Sequence, residues 1–290
     1  MFERVAIVGP GLIGGSIGMC LRQRELAGRV VGIGRRERSL QNAMAVGAID
    51  ESTLDLREGV AGADLVVLAT PVSAFADLTS AAAPALKSGA ILTDVASTKG
   101  GVVRAISAAL SQRPDIVYVP THPMAGSEQR GALAAQADLF EGAVCIITPL
   151  SSAEHEAEAQ VVSMWDALGA RTVIMTPEEH DHVVARISHV PHLVAAALID
   201  LVTEDQTQLC GGGLRDTTRI ASGDPDLWMD ICAANRDEIR RALTEYIERL
   251  QRAAEWLNSG DLEQLRKMLA HAKDKRDRTI GHEQKPSHWQ

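Results

Sequence analysis

The sequence has no excess of basic residues: 29 Lys and Arg stand against 38 Asp and Glu in 290 residues, giving a net charge of −9 and a pI near 5.5. That balance is the opposite of a phosphate-binding footprint and disfavours nucleic acid as a partner. Cysteines are few, and Cys20, Cys145, Cys210 and Cys232 show neither a CxxC pair nor a mixed Cys/His spacing. Isolated reduced thiols follow, with no disulfide framework and no metal site. No stretch reaches the roughly 18 uninterrupted apolar residues of a membrane span, and the most apolar one, 190–202, is broken by Pro191, His192 and Asp200. The start, MFERVAIVG, lacks a basic stretch followed by an apolar one and a small-residue cleavage site. A cytoplasmic protein with no membrane partner is the expectation. Repeats and low-complexity segments are absent, whereas 46% apolar content over about two domains' length is ample for packed cores.

The first 175 residues alternate short β-branched runs with Ala-rich helical stretches. Residues 5–8, 30–33, 65–69, 91–94, 116–119, 144–148 and 172–175 read as strands, apolar almost throughout, as strands covered by helices on both faces should be. Alternation of this kind implies α/β architecture with a doubly wound parallel sheet over 1–176. After Thr176-Pro177-Glu178 the texture changes to long helical periodicity, roughly 177–203, 225–258 and 261–279, so an all-α second domain over 177–280 is expected. Thr176 as N-cap, Pro177 at N1 and Glu179 at N3 form a capping-box pattern. Residues 204–223, with Gly211-Gly212-Gly213 and an Arg-Asp-Thr-Thr-Arg run, read as a loop between helices, and the polar tail 281–290 as disordered.

The run Gly9-Pro10-Gly11-Leu12-Ile13-Gly14 is a GxGxxG placed between a predicted strand and a predicted helix. Gly9 permits the tight turn, Gly11 lets backbone approach a pyrophosphate, and Gly14 lets the helix pack on the strand. Unpaired N–H groups at the helix start, including Leu12 and Ile13, would face the diphosphate. An NAD-specific site would carry an acid at the end of the second strand. Here that strand runs into Gly34-Arg35-Arg36-Glu37-Arg38-Ser39, and Arg35, Arg36 and Ser39 suit a 2′-phosphate. NADP is therefore favoured, with NAD possible through Glu37.

Three further segments fall at carboxyl ends of predicted strands, the edge where open α/β sheets bind ligands: Thr70-Pro71-Val72, Asp94-Val95-Ala96-Ser97-Thr98-Lys99, and Thr121-His122-Pro123-Met124-Ala125-Gly126-Ser127-Glu128. Thr70 and Pro71 would border the cofactor, and His122 stands where a base is useful. His189 and His192 lie on one face of the second-domain helix, with Pro191 suggesting a kink. By spacing alone they are metal ligands or a pocket wall.

Taken in order, GPGLIGGS, DVASTKG, THPMAGSE, ISHVPH and GGGLRDTTRIASGDPDLW closely resemble the prephenate/arogenate (cyclohexadienyl) dehydrogenase family of tyrosine biosynthesis, over about residues 4–280. The resemblance implies a Rossmann-type domain followed by a helical dimerisation domain, and a homodimer. It implies an oxidative decarboxylation in which hydride leaves ring C4 of a cyclohexadienol for nicotinamide, the C4 hydroxyl loses its proton and the ring carboxylate departs as CO2. Aromatisation drives that reaction without a metal.

On this sequence the family's catalytic base falls on His122, and Ser97 matches the Ser that hydrogen-bonds the histidine and the substrate hydroxyl and would hold the imidazole's tautomer. Ser97 would also touch the cofactor. Arg219 would anchor a substrate carboxylate, with Arg215 near the pocket mouth. His189 and His192 would line the substrate side. Glu128 or Gln129 would distinguish the keto side chain of prephenate from the amino group of arogenate, with prephenate or dual specificity preferred. A reductase of the β-hydroxyacid dehydrogenase type would put a Lys on the second-domain helix, where this chain has Ile187-Ser188-His189-Val190-Pro191-His192. A non-catalytic NADPH-binding sensor would have no use for His122, Ser97 and Arg219 together.

Overall fold

The computed structural model describes residues 1–127, 129–150 and 155–279; Glu128 and the tail 281–290 lie outside the described residues. The chain divides into two compact units, Met1–Ile239 and a second beginning at Arg240. The first contains an eight-stranded sheet, formed by β1 (Phe2–Val8), β2 (Ala27–Ile33), β3 (Glu51–Thr53), β4 (Leu65–Leu68), β5 (Ile91–Asp94), β6 (Val117–Pro123), β7 (Val144–Ile147) and β8 (Arg171–Ile174). Their order is β3-β2-β1-β4-β5-β6-β7-β8, so the strand order reverses between β1 and β4.

Alternate residues of the central strands face opposite layers, and both faces are dry. On one face Val5, Ile7, Leu65 and Val67 pack with Ile17 and Leu21 of α1 (Leu12–Gln23), Leu40 and Ala43 of α2 (Glu37–Ala45), and Val161 and Trp165 of α6 (His155–Ala167). On the other face Ala6, Val8, Val66 and Leu68 pack with Val60 of α3 (Leu56–Val60), Phe75 and Ala82 of α4 (Phe75–Ala82), and Val102 and Ile106 of α5 (Gly100–Ala109). Burial on both sides is why these strands are continuously apolar.

Three expectations from the sequence need correction. Strand β7 runs antiparallel to β6, with Thr121 opposite Ile147, so the sheet is mixed at this end, and β7 and β8 are again parallel. Strand β3, at the sheet edge, is polar and only three residues long, so it carries no apolar run to reveal it. Residues 204–223 are largely helical: α9 (Glu204–Thr207), α10 (Gly212–Thr218) and a 3-10 turn at Arg219–Ser222, where three glycines and local hydroxyl-to-carbonyl bonds disguise short helices as a loop.

The segment after β8 begins at the expected capping box, in which the Thr176 hydroxyl accepts from Glu179 N at 3.1 Å and Glu179 Oε2 accepts from Thr176 N at 2.9 Å. It continues as α7 (Pro177–Val184), a π-helical turn at Ala185–His189 and α8 (Val190–Asp200). Pro191 falls in the first turn of α8, where a missing N–H costs least, and the irregularity precedes it. Then come α11 (Pro225–Ala234) and α12 (Arg236–Ser259), which crosses into the second unit, where α13 (Leu262–Thr279) follows.

Close packing of α1 against the turn after α2 fixes a glycine on its inner face. A Cβ on Gly18 would lie 2.1 Å from the Ala48 carbonyl oxygen, whereas one on Gly101 in α5 would meet nothing within 4 Å. Gly18→Ala is expected to destabilise the protein by about 1–3 kcal/mol and Gly101→Ala to leave it unchanged or slightly stabler. Urea unfolding of the two variants checks this, and equal midpoints would contradict it.

Candidate active site

The loop after β1 sits where the strand order reverses, between the ends of β2 and β4. Gly9 N donates to Ile33 O at 2.8 Å, and Ala69 N donates to Val8 O at 2.8 Å. Gly9 has φ +89°, and a Cβ there would meet Ala69 O at 2.8 Å; one on Gly14 would meet Gly9 O at 2.5 Å. Both positions therefore require glycine. Gly11, the N-cap of α1, offers no capping side chain, and a Cβ there would point into open space. An uncapped helix start beside an open cradle fits a dinucleotide's diphosphate. At the end of β2, Arg35, Arg36 and Ser39 are exposed, as are Glu37 and Arg38. Thr70 is half-buried and Pro71 exposed on the loop after β4.

At the ends of β5 and β6 the site is polar and buried. Lys99 and Asp94 are fully buried, with Lys99 Nζ donating to Asp94 Oδ1 at 2.7 Å and to Ala96 O at 2.9 Å, while Tyr118 Oη donates to Asp94 Oδ2 at 2.7 Å. Burial, reinforced by Asp94, holds the Tyr118 hydroxyl well above its ordinary range, so it remains a donor. The segment DVASTKG is thus stapled by its own ends. Ser97, half-buried, stands on the turn between them.

His122 lies within β6, nearer the strand's end than the predicted limit at 119, and its Nδ1 is 2.8 Å from His180 Nε2. His180 Nδ1 is in turn 2.9 Å from Asp181 Oδ1. A carboxylate only accepts, so His180 Nδ1 carries the hydrogen and its Nε2 is a lone pair. His122 Nδ1 must then donate, which leaves the lone pair of His122 on Nε2. The chain is fixed at its far end, where Lys99 N donates to Asp181 Oδ1 at 2.7 Å and Gly100 N to Oδ2 at 2.8 Å. Burial pushes the Asp181 carboxyl up, but the His180 bond and these two amides prevail and hold it below its ordinary range. Burial also lowers His122 well below the usual imidazole value, with His180, Lys99 and His189 adding to the effect. His180 is lowered by burial against the opposing pull of Asp181.

The π-helical turn and α8 bring two more imidazoles to the site. Asn235 Nδ2 donates to Asp181 O at 2.8 Å and to His189 Nδ1 at 3.3 Å, so His189 carries its hydrogen on Nε2. That Nε2 is buried without a partner among the described residues, as is His192 Nδ1. Burial brings His189 down to about 4 and lowers His192 as well. Trp228 of α11 stacks on His192, with centroids 3.5 Å apart and planes at 13°, and meets His189 edge-on at 6.1 Å. Gly223 makes the stack possible, since its Cβ would lie 2.5 Å from Trp228 Nε1 and 2.9 Å from His192 Cε1. Among the described residues no group of three or more His, Cys, Asp or Glu is gathered to hold a metal.

Arg215 of α10 and Arg219 of the following 3-10 turn are both exposed, on elements that pack against α8. Gln129 is also exposed, and the neighbouring Arg130 pairs with Asp224, the N-cap of α11. Sequence reasoning named no role for His180 and gave Ser97 the task of holding the His122 tautomer, whereas His122 Nδ1 is engaged by His180. It also passed over Asp181, Asn235 and Trp228. The adjacent His180-Asp181 pair just inside a capping box was the available signal.

Residues 17–185 match the family model described as prephenate dehydrogenase, nucleotide-binding domain, and residues 176–271 match prephenate dehydrogenase, dimerization domain. The chain belongs to the prephenate dehydrogenase family. Prephenate dehydrogenase of Bacillus subtilis is 35% identical over 284 residues, spanning 96% of this chain and 76% of its own length. Cyclohexadienyl dehydrogenase of Zymomonas mobilis is 34% identical over 94% of each chain. The crystal structure of prephenate dehydrogenase from A. aeolicus, in complex with hydroxyphenyl propionate and NAD+, superposes with a TM-score of 0.88 at 32% identity, covering 95% of this chain and 98% of that one. The fold is thus that of a prephenate dehydrogenase, with a nucleotide-binding domain.

Neutral buried histidines carry a stability consequence. His122, His180, His189 and His192 are all held below the unfolded value of 6.5, so below that pH the unfolded chain binds protons first. Stability is then fully present above about 6.5 and falls on acidification, by about 1.4 kcal/mol per pH unit for each histidine still neutral in the fold. Thermal midpoints measured from pH 7 to 5 should decline steadily; an unchanged midpoint would contradict the assignment.

Proposed function

We propose that the protein catalyses the NAD(P)-dependent oxidative decarboxylation of prephenate to 4-hydroxyphenylpyruvate, of arogenate to tyrosine, or of both. The observation that carries this is His122: a buried, neutral imidazole with its Nδ1 hydrogen committed to His180 and its Nε2 lone pair without a partner among the described residues, on the same carboxyl edge of the sheet as the glycine loop. A bound nicotinamide supplies the hydride acceptor. The chain's part is to remove the ring hydroxyl's proton and to orient a dianion. His122 Nε2 accepts that proton as the hydroxyl becomes a carbonyl. In this reading Ser97 serves the substrate hydroxyl or the cofactor, and the Nε2 hydrogen of His189, unpartnered among the described residues, is offered to the substrate.

Arg219 and Arg215 hold the substrate carboxylates, Arg219 chiefly as an anchor. A carboxylate that must leave as CO2 should be positioned rather than strongly stabilised, since only contacts that persist in the transition state raise the rate. Arg35, Arg36 and Ser39 favour NADP over NAD, and Gly9, Gly11, Leu12, Ile13, Gly14, Thr70 and Pro71 complete the cofactor's surroundings. His192, stacked on Trp228, forms a wall of the substrate pocket. Gln129 faces the choice between keto and amino side chains, for which we favour prephenate or dual use. In this reading 1–176 is the dinucleotide-binding domain and 177–280 the substrate and dimerisation domain of a cytoplasmic homodimer, with prephenate or arogenate as the small-molecule partner.

Initial rates of reduced-nicotinamide absorbance, with prephenate and arogenate each crossed with NAD and NADP, test the reading. Turnover is expected, fastest with NADP, and no rate in any combination by protein that binds NADP would overturn it. His122→Asn should cut kcat by about 100- to 10,000-fold while leaving NADP affinity unchanged. Arg219→Ala should raise KM more than it lowers kcat; the reverse split would move Arg219 from anchoring to chemistry. The acid limb of kcat/KM should lie well below the ordinary imidazole value, because His122 stays neutral there.

A further inference from the structure

Resting on the function proposed above, we propose that the proton taken from the substrate's ring hydroxyl comes to rest on His180 rather than on His122. His180 is then a positioning residue that also stores charge. The geometry is a straight hand-over: His122 Nδ1 and His180 Nε2 are 2.8 Å apart, and His180 Nδ1 is 2.9 Å from Asp181 Oδ1. The two ends of this chain differ in charge. Around His122 stand the ammonium of Lys99 and the imidazoles of His180 and His189, and the nearby carboxylate of Asp94 is already engaged by Lys99 and Tyr118. The Lys99 ammonium also acts on His180, but His180 is in direct contact with the Asp181 carboxylate, itself held by the backbone amides of Lys99 and Gly100, and Asp94 adds its attraction. A buried positive charge is tolerated where a carboxylate touches it and costly where nothing offsets the nearby ammonium.

The step balances as follows. The substrate O–H bond breaks as hydride leaves C4, the oxygen keeps the bonding pair to form the carbonyl, and the proton binds His122 Nε2. The hydrogen on His122 Nδ1 passes to His180 Nε2. His122 ends neutral with its hydrogen on Nε2, and His180 ends as an imidazolium against the Asp181 carboxylate. Asp181 takes no proton, in keeping with its lowered pKa. When the ring carboxylate leaves as CO2, its bonding electrons aromatise the ring and pass to the C4 oxygen; His122 Nε2 returns its hydrogen to that phenolate, and the extra proton on His180 returns to His122 Nδ1. No net proton is released per turnover and both tautomers are restored.

Two protons therefore move in the chemical step, which a purely tautomer-holding His180 would not produce. Wild-type turnover is established first, so that a failure of the reaction itself is seen separately and overturns both readings. Single-turnover formation of the reduced nicotinamide is then followed in mixtures of H2O and D2O. A bowed dependence of rate on deuterium fraction is expected, and a straight line would overturn the proposal. In His180→Gln the amide oxygen can still accept from His122 Nδ1 but cannot take a proton. Its single-turnover rate should fall about 100-fold with a now linear dependence, at unchanged cofactor affinity. A wild-type rate in His180→Gln would equally overturn the proposal, and should that variant not fold, the wild-type dependence decides alone.

Discussion

The carboxylate of Asp181 joins the two halves of the site. One oxygen accepts from Lys99 N and His180 Nδ1, the other from Gly100 N, at the start of α5. A helix start has amides with no partner inside the helix and the positive end of its dipole, so an acid from another segment is well received there. This one contact seats the segment after β8 against the carboxyl edge of the sheet. It also sets the hydrogen on His180, and through it the lone pair on His122. The capping box at Thr176 fixes where α7 begins, and hence where Asp181 arrives. Without that anchorage His122 would still lie on β6, but nothing would decide which of its nitrogens is basic.

The remainder of the site separates structural charge from working charge. Lys99 is fully buried and spends its hydrogens on Asp94 and the backbone of its own turn. Removing one partner of such a pair leaves an uncompensated ion in the interior, whereas the intact pair holds the turn that carries Ser97. The four histidines stay neutral through burial. His189 Nε2 and His192 Nδ1 are buried without a partner among the described residues, and Trp228 and Gly223 shape the wall behind them. Arg215 and Arg219 keep their guanidinium groups exposed on elements that pack against α8.

Much of this was legible in the residues. The glycine spacing, the apolar strands and the shift to helical periodicity at Thr176 are local signals, because strand burial and helix capping act over a few residues. The misses share a cause in longer-range contacts. The antiparallel β7 depends on its route between β6 and β8, which its four residues do not encode. Strand β3 is polar because it lies at the sheet's edge, and the turns of α10 hide behind glycines. His180 drew no notice because its importance comes from His122, 58 positions away, and from Asp181, which two amides at the start of α5 hold in place. A hydrogen-bond chain that closes across the fold leaves no periodic trace in the sequence.

The central claim is that His122 is held neutral with its hydrogen on Nδ1 and its lone pair on Nε2. Nitrogen-15 NMR of the histidine side chains at neutral pH, with His122 assigned through His122→Asn, measures this directly. The account predicts a protonated Nδ1 and an unprotonated Nε2 in the wild-type protein. A hydrogen on Nε2, or an imidazolium carrying both, would contradict it.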